Sequence, residues 1–265
     1  MSMKKTIKIR DAAAAALLLC YVAFYLANTT SRPKPPVVVV EEESKKQAIH
    51  WRRIAGELSC KLGGPDATGP NGGWCLRPST ENWGNLGRPA AHHVVADHGV
   101  AATIAKHLQG VTLVDICAGV GQYGHWFREN NASIQWQGYD GAENIESFTE
   151  GYVKWIDVTD PLFDTIAKKF DWVMSLECGE HIPPEATEAF IDLLDRHNTK
   201  GVILSWAIVG QGGHSHINER SNEDVVARFL KRGYKQEQWQ QEARDAAKYF
   251  WFQNTFMVFT RGAKA

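Results

Sequence analysis

The sequence has almost no excess of charge: 29 Lys and Arg stand against 30 Asp and Glu, a formal net charge of −1 over 265 residues. Such a chain has no global field to collect a polyanion, so nucleic acid is a poor default partner. It has only five Cys, and none lies in the close Cys or His pairs that a structural zinc wants. It has no internal repeat, and its only biased tracts are short Ala and Val runs. What remains is 44% hydrophobic and 22% charged, enough to bury the core of one α/β domain with an appendage. Trp is plentiful at ten, and Trp126, Trp136, Trp155, Trp172 and Trp206 fall in or beside apolar segments that read as core.

Long uncharged stretches are scarce as well, and the one that stands out runs from Ala12 to Ala27 behind Lys4, Lys5, Lys8 and Arg10. Sixteen residues at about 1.5 Å each reach roughly 24 Å, short of the ~30 Å hydrocarbon core but suited to a thin early-secretory bilayer. Four basic residues before the run, against Arg32 and Lys34 after it, favour a cytosolic N-terminus. The expectation is a single-pass type II protein of the Golgi or endoplasmic reticulum: a tail at 1–11, a transmembrane signal-anchor at 12–28, and a luminal catalytic domain. The competing reading is a cleaved signal peptide, for which Tyr25 fits poorly three residues before a cut after Ala27.

Residues 29–89, with Pro33, Pro35 and Pro36 and then a Gly/Pro-rich loop, read as a stem and an irregular cap. Cys60 and Cys75 flank that loop and are expected to pair in an oxidising lumen, a closure that contributes about 3 kcal/mol. Cys117 and Cys178 sit beside strand ends and read as small buried groups.

From about residue 90 the pattern becomes regular. A helix over Val100 to Leu108 precedes apolar runs at Thr112–Ile116, Ile134–Tyr139, Val153–Ile156, Trp172–Leu176 and Val202–Trp206, separated by amphipathic segments. That alternation predicts a mostly parallel sheet with right-handed crossovers. Glu223–Arg232 reads as the last helix, and Tyr234–Trp239 with Phe250–Thr260 as an antiparallel edge pair.

The stretch from Val111 to Gly124 (VTLVDICAGVGQYG) is a strand running into a glycine turn and a helix. Glycines let backbone approach a ligand, and the helix N-terminus presents free N–H groups, so a small-molecule cofactor belongs there. Asp140 ends the next strand, where a carboxylate can accept both hydroxyls of a ribose. The same letters spell G-x-G-x-x-G, so a dinucleotide site competes. Two acids favour S-adenosylmethionine: Asp115, four residues before the first glycine, and Asp157, at the end of the third strand near an adenine. The fourth strand ends in Ser175-Leu-Glu-Cys-Gly-Glu-His-Ile-Pro.

With these blocks, D-x-G-x-G-x-G and E-x-x-E-H-(I/V)-P, residues 90–265 resemble the class I, Rossmann-like, S-adenosylmethionine-dependent methyltransferase superfamily. The resemblance implies a seven-stranded mostly parallel sheet with a reversed last strand and helices on both faces. It also implies cofactor contacts at Asp115, Cys117, Gly119, Gly121, Asp140 and Asp157. The chain departs from the pattern at Cys117, where the first glycine of D-x-G would stand.

Glu177, Glu180 and His181 follow the fourth strand, and a helical turn would put the two acids on one face beside the imidazole. His214 and His216 follow the fifth strand, whose end neighbours the fourth, so the two segments should converge. The block is similar to that of small-RNA 2'-O-methyltransferases and the catechol-methylating enzymes of ubiquinone synthesis, which implies a divalent cation (Mg or Mn) on Glu177, Glu180, His181 and His216. Three readings stay open: a metal site, His181 as a metal-free general base, and Glu180-His181 as a helix start before Pro183-Pro184. His214 reads as a solvated loop residue.

These features lead us to expect a membrane-anchored O-methyltransferase acting on a hydroxyl, in particular of a vicinal diol, in a luminal glycan or small molecule. A membrane-associated lipid or small-molecule methyltransferase and a catalytically inactive methyltransferase-like binding module are the alternatives, the second opposed by the retained acids.

Overall fold

The computed structural model describes residues 7–9, 38–40, 42–63, 68–69, 71–76 and 96–262. The chain divides into two compact units between Leu58 and Ser59. In the first, β1 (Ile7–Ile9) pairs in parallel with β2 (Val38–Val40). The proposed anchor at 12–28 lies outside the described residues, and among these no helix is long and apolar enough to cross a membrane.

Residues Glu42–Gly63 form a helix, α1, where the sequence pattern suggested stem and irregular cap. The correction has a local cause. Glu42 and Glu43 in the first turn and Lys61 in the last complement the helix dipole, and no Pro or Gly interrupts the chain between Glu42 and Ala55.

The second unit holds a seven-stranded sheet in the order β5-β4-β3-β6-β7-β9-β8. Its strands are β3 (Val111–Ile116), β4 (Ile134–Asp140), β5 (Val153–Trp155), β6 (Phe170–Ser175), β7 (Asn198–Leu204), β8 (Tyr234–Gln236) and β9 (Met257–Arg261). All neighbours run parallel except β9, which is antiparallel to both β7 and β8. This is the sheet that the resemblance implied, a class I methyltransferase fold. Consecutive strand residues serve opposite layers. Leu113, Met174 and Ile203 pack with Ile104 and Phe127 on one face, while Val114, Val173 and Val202 pack with Phe190, Leu194 and Phe229 on the other. Helices therefore cover both faces: α2 (His98–His107) and α3 (Gln122–Glu129) on the first, α5 (Thr187–His197) and α6 (Asn222–Lys231) on the second, with the short α4 (Ile145–Phe148) after β4.

The reversed edge pair is present as β8 and β9, but Phe250–Thr255 is helix α8, following α7 (Gln240–Ala246), and the last strand starts only at Met257. Aromatic content favours a strand there, yet Phe252, Thr255 and Phe256 are buried at helical spacing while Phe250 is exposed.

Cys60 and Cys75 are joined, with Cα atoms 5.3 Å apart, as expected. Cys117 and Cys178 are joined too, and are not merely small buried groups. Parallel β3 and β6 are adjacent, so their carboxyl ends bring the two residues together.

The glycines of the motif answer to Trp136 as well as to any ligand. A Cβ on Gly124 would lie 2.5 Å from the Trp136 ring, and one on Gly138 would lie 2.4 Å from it. Ala favours an exposed helix interior over Gly by about 1 kcal/mol, but here the indole is enclosed on several sides. Gly124→Ala is therefore expected to destabilise the protein by about 1–3 kcal/mol, seen as a lower urea midpoint at unchanged slope. A raised midpoint would show that Trp136 does not fill this slot.

Candidate active site

Adjacency of β3 and β6, with chain crossovers leaving to opposite sides, makes a topological switch point, where open α/β sheets bind ligands. The turn after β3 holds three left-handed residues, Cys117 (φ 63°), Gly119 (φ 55°) and Gly121 (φ 84°), the last opening α3. Cys117 keeps the backbone conformation that a glycine adopts freely. Asp140 clamps this turn: its Oδ2 accepts the Gly119 N–H at 2.8 Å and its Oδ1 the Ala142 N–H at 2.8 Å. Burial pushes the Asp140 carboxyl up to about 6, against the pull of the Ala142 and Gly119 N–H donors.

Asp115 is buried beneath the turn and accepts the Trp136 Nε1–H at 3.2 Å. Burial raises it to about 8, the indole bond opposing and the Asp140 charge adding. Asp157 is buried past the end of β5, its Oδ1 accepting the N–H (2.9 Å) and Oγ1–H (2.6 Å) of Thr159. Asp115, Cys117, Gly119, Gly121 and Asp140 thus form one contiguous cradle, and Asp157 lies one strand further along.

On the other side of the switch point the E-x-x-E-H block is not a helix start. A single 3-10 turn spans Gly179–His181, and α5 begins only at Thr187. Glu177 precedes that turn with φ 53°, so the two acids do not share a helical face; its N–H donates to Ser205 Oγ at 2.7 Å, tying the loop to the end of β7. Glu180 is fully buried, and its carbonyl accepts the N–H groups of Ile217 (2.9 Å) and Asn218 (3.0 Å), which draws in the downstream loop. As a result Glu180, His181 and His216 each present a ligand atom within 4.8 Å of the others. The His181 and His216 rings meet edge to face at 4.9 Å. His216 Nδ1 lies 3.2 Å from Glu219 Oε1, and the same Glu219 carboxylate accepts the N–H groups of Gly210 and Gly212, each at 2.7 Å. His214 is exposed, as expected.

Glu180 Oε1, Glu180 Oε2 and Glu177 Oε1 are buried without a hydrogen-bond partner. Burial raises both carboxyls, Glu180 far above the usual range with the Glu177 charge adding to it. Burial lowers His181 to about 4, with His216 contributing, so His181 is a neutral imidazole at neutral pH.

Sequence reasoning missed three contributors. Ser205 carries no motif. Glu219 could have been found from its spacing, three residues after His216 in a loop. The third is the segment 71–76: Asn71 Nδ2 donates to the Gly141 carbonyl at 2.9 Å, Leu76 and Asn144 exchange two hydrogen bonds (2.8 and 2.7 Å), and Trp74 lies against His181 with ring centroids 5.0 Å apart. This piece of the cap touches both halves of the site.

No family model matches the chain, and no curated protein does. Among solved structures it is similar to the magnesium protoporphyrin IX methyltransferase of Synechocystis PCC 6803 with bound SAH, at 16% identity and a TM-score of 0.49, over 69% of this chain and 94% of that one. It is likewise similar to an amino pentose methyltransferase from Micromonospora echinaspora with bound SAM, at 14% identity and a TM-score of 0.48, over 65% and 95%. A [4+2]-cyclase matches at 13% identity and a TM-score of 0.45, over 83% and 96%. At such distances the likeness is one of fold alone.

A carboxyl near 6 is ionised above that pH and protonated below it, and only the ionised form accepts two hydroxyl protons. Affinity for S-adenosylhomocysteine should therefore weaken by up to about tenfold per unit as the pH falls below 6, as measured by calorimetry. Asp140→Asn should bind weakly at every pH, and a wild-type affinity unchanged between pH 5 and 8 would remove Asp140 from the cradle.

Proposed function

We propose that the chain is an S-adenosylmethionine-dependent O-methyltransferase that methylates a hydroxyl of a vicinal diol, in a glycan or small molecule. The observation that carries this is the convergence of Glu180, His181 and His216 within 4.8 Å, with carboxylate oxygens left unpartnered, one strand away from a glycine turn clamped by Asp140.

The donors fit a borderline or hard divalent cation, since buried carboxylate oxygens and imidazole nitrogens are what such an ion takes. Glu180, His181 and His216 would hold it, with Glu177 beside them, and Gly119, Gly121 and Asp140 would hold the nucleoside. When bound, S-adenosylmethionine supplies an electrophilic methyl, and a divalent cation supplies Lewis acidity that lowers a hydroxyl pKa. The chain's own part is to fix acceptor and donor for in-line transfer, to exclude water with residues 71–76, and to receive the hydroxyl proton, for which Glu177 is the adjacent carboxylate. A metal-free mechanism with His181 as base is the second reading; the unpartnered oxygens of Glu180 favour the cation.

Transfer of labelled methyl to a diol should stop in excess chelator and return with Mn2+. Glu180→Gln and His216→Ala should each lose at least about a hundredfold in kcat with S-adenosylhomocysteine affinity within about twofold. Full activity in chelator, with His181→Ala inactive, would leave His181 as a general base.

Two disulfides suit an oxidising compartment, and we propose that residues 12–28 anchor the protein in an early-secretory membrane with the catalytic unit luminal. The β1–β2 pair places Ile7–Ile9 beside Val38–Val40, and a span through 12–28 requires those strands to separate across the bilayer. Retention in the pellet after alkaline carbonate extraction is expected; release, with the two strands paired, would contradict the anchor.

A further inference from the structure

The cap segment reaches the site through two glycines. A Cβ on Gly73 would lie 2.2 Å from the Gly141 carbonyl oxygen, and one on Gly72, whose φ is +83°, 2.4 Å from the His181 carbonyl oxygen. Only glycine lets the chain pass this close to the cofactor side and the acid block in successive residues. Asn71 fastens the first contact through Gly141, and the Cys60–Cys75 bond and the Leu76–Asn144 pair hold the segment beyond it. What this arrangement delivers is Trp74. Its indole meets His181 edge to face at 5.0 Å and His214 at 5.8 Å, so the ring stands beside the residues assigned to the cation.

Trp74 Nε1 is buried and has no hydrogen-bond partner. An unpaired buried N–H costs about 1–3 kcal/mol, a cost that Phe would avoid while filling a similar space.

We infer that Trp74 is an acceptor-recognition residue, and that the acceptor is a cyclic polyol or sugar carrying a third oxygen near the reacting pair. This rests on the proposed diol methylation. The cation set accounts for two adjacent oxygens; the indole N–H addresses a further one, and the aromatic surface suits the C–H face of a saturated ring. A flat catechol has two oxygens only and offers Nε1 nothing.

The test uses wild type and Trp74→Phe, which keeps a ring and removes the N–H, with labelled S-adenosylmethionine, Mn2+, and three acceptors: myo-inositol, methyl α-glucopyranoside and catechol. Trp74→Phe should raise KM for the two polyols about tenfold while kcat, the catechol KM and the affinity for S-adenosylhomocysteine stay within about twofold. The 15N-indole resonance absent from Trp74→Phe should shift in wild type when either polyol is added with S-adenosylhomocysteine. Equal effects of Trp74→Phe on polyols and catechol, or an indole resonance unmoved by polyol, would overturn the inference. Wild type methylating catechol alone would overturn the acceptor class and leave the methyltransferase reading standing, and methylation of none of the three would bring down both.

Discussion

A carboxylate cannot stay ionised in a protein interior without a counter-charge, and Glu180 is fully buried with a second acid, Glu177, set against it. Leaving one charge of a buried pair uncompensated costs about 3–5 kcal/mol, so the group must be protonated or matched by a cation. Much of the surrounding geometry follows from holding it there. Its backbone carbonyl gathers the loop that carries His216, Ser205 secures the preceding Glu177, and Trp206 packs over Gly179, where a Cβ would lie 2.3 Å from the indole. Trp206 is in turn fixed through Nε1 to the Asn218 carbonyl at 2.6 Å. The segment that supplies the acid is thus locked from three directions, as a preorganised site requires.

The two halves of the site are joined by more than proximity. Ser175 Oγ donates to the Ile116 carbonyl at 2.8 Å, and the Cys117–Cys178 bond, one residue past the end of β3 and three past the end of β6, links the glycine turn to the acid block. Cys117 departs from the glycine that the motif carries at this place. The departure keeps the left-handed backbone and exchanges conformational freedom for a covalent tie.

Most of the sheet was legible because its code is local. Alternating apolar runs gave the five parallel strands, and the parallel order then forced Cys117, Asp140, Glu177 and Ser205 to one edge. Where the reading failed, the deciding contacts were not local. Phe250–Thr255 has strand-like composition, but its burial follows a helical period set by packing against the rest of its layer. The Cys117–Cys178 link spans 61 positions of sequence. Trp74 sits in a loop whose composition announces irregularity and nothing about what it touches; its place depends on Gly72 and Gly73 meeting loops that follow much later in the chain.

The central claim is that Glu180, His181 and His216, with Glu177 adjacent, hold one divalent cation beside the Asp140 cradle. Crystals grown with S-adenosylhomocysteine and Mn2+ and measured at the manganese edge test it directly. The account predicts a single anomalous peak bonded to Glu180, His181 and His216, with Glu177 reaching the same ion directly or through water. An occupied nucleoside site with no anomalous density between these side chains would contradict it.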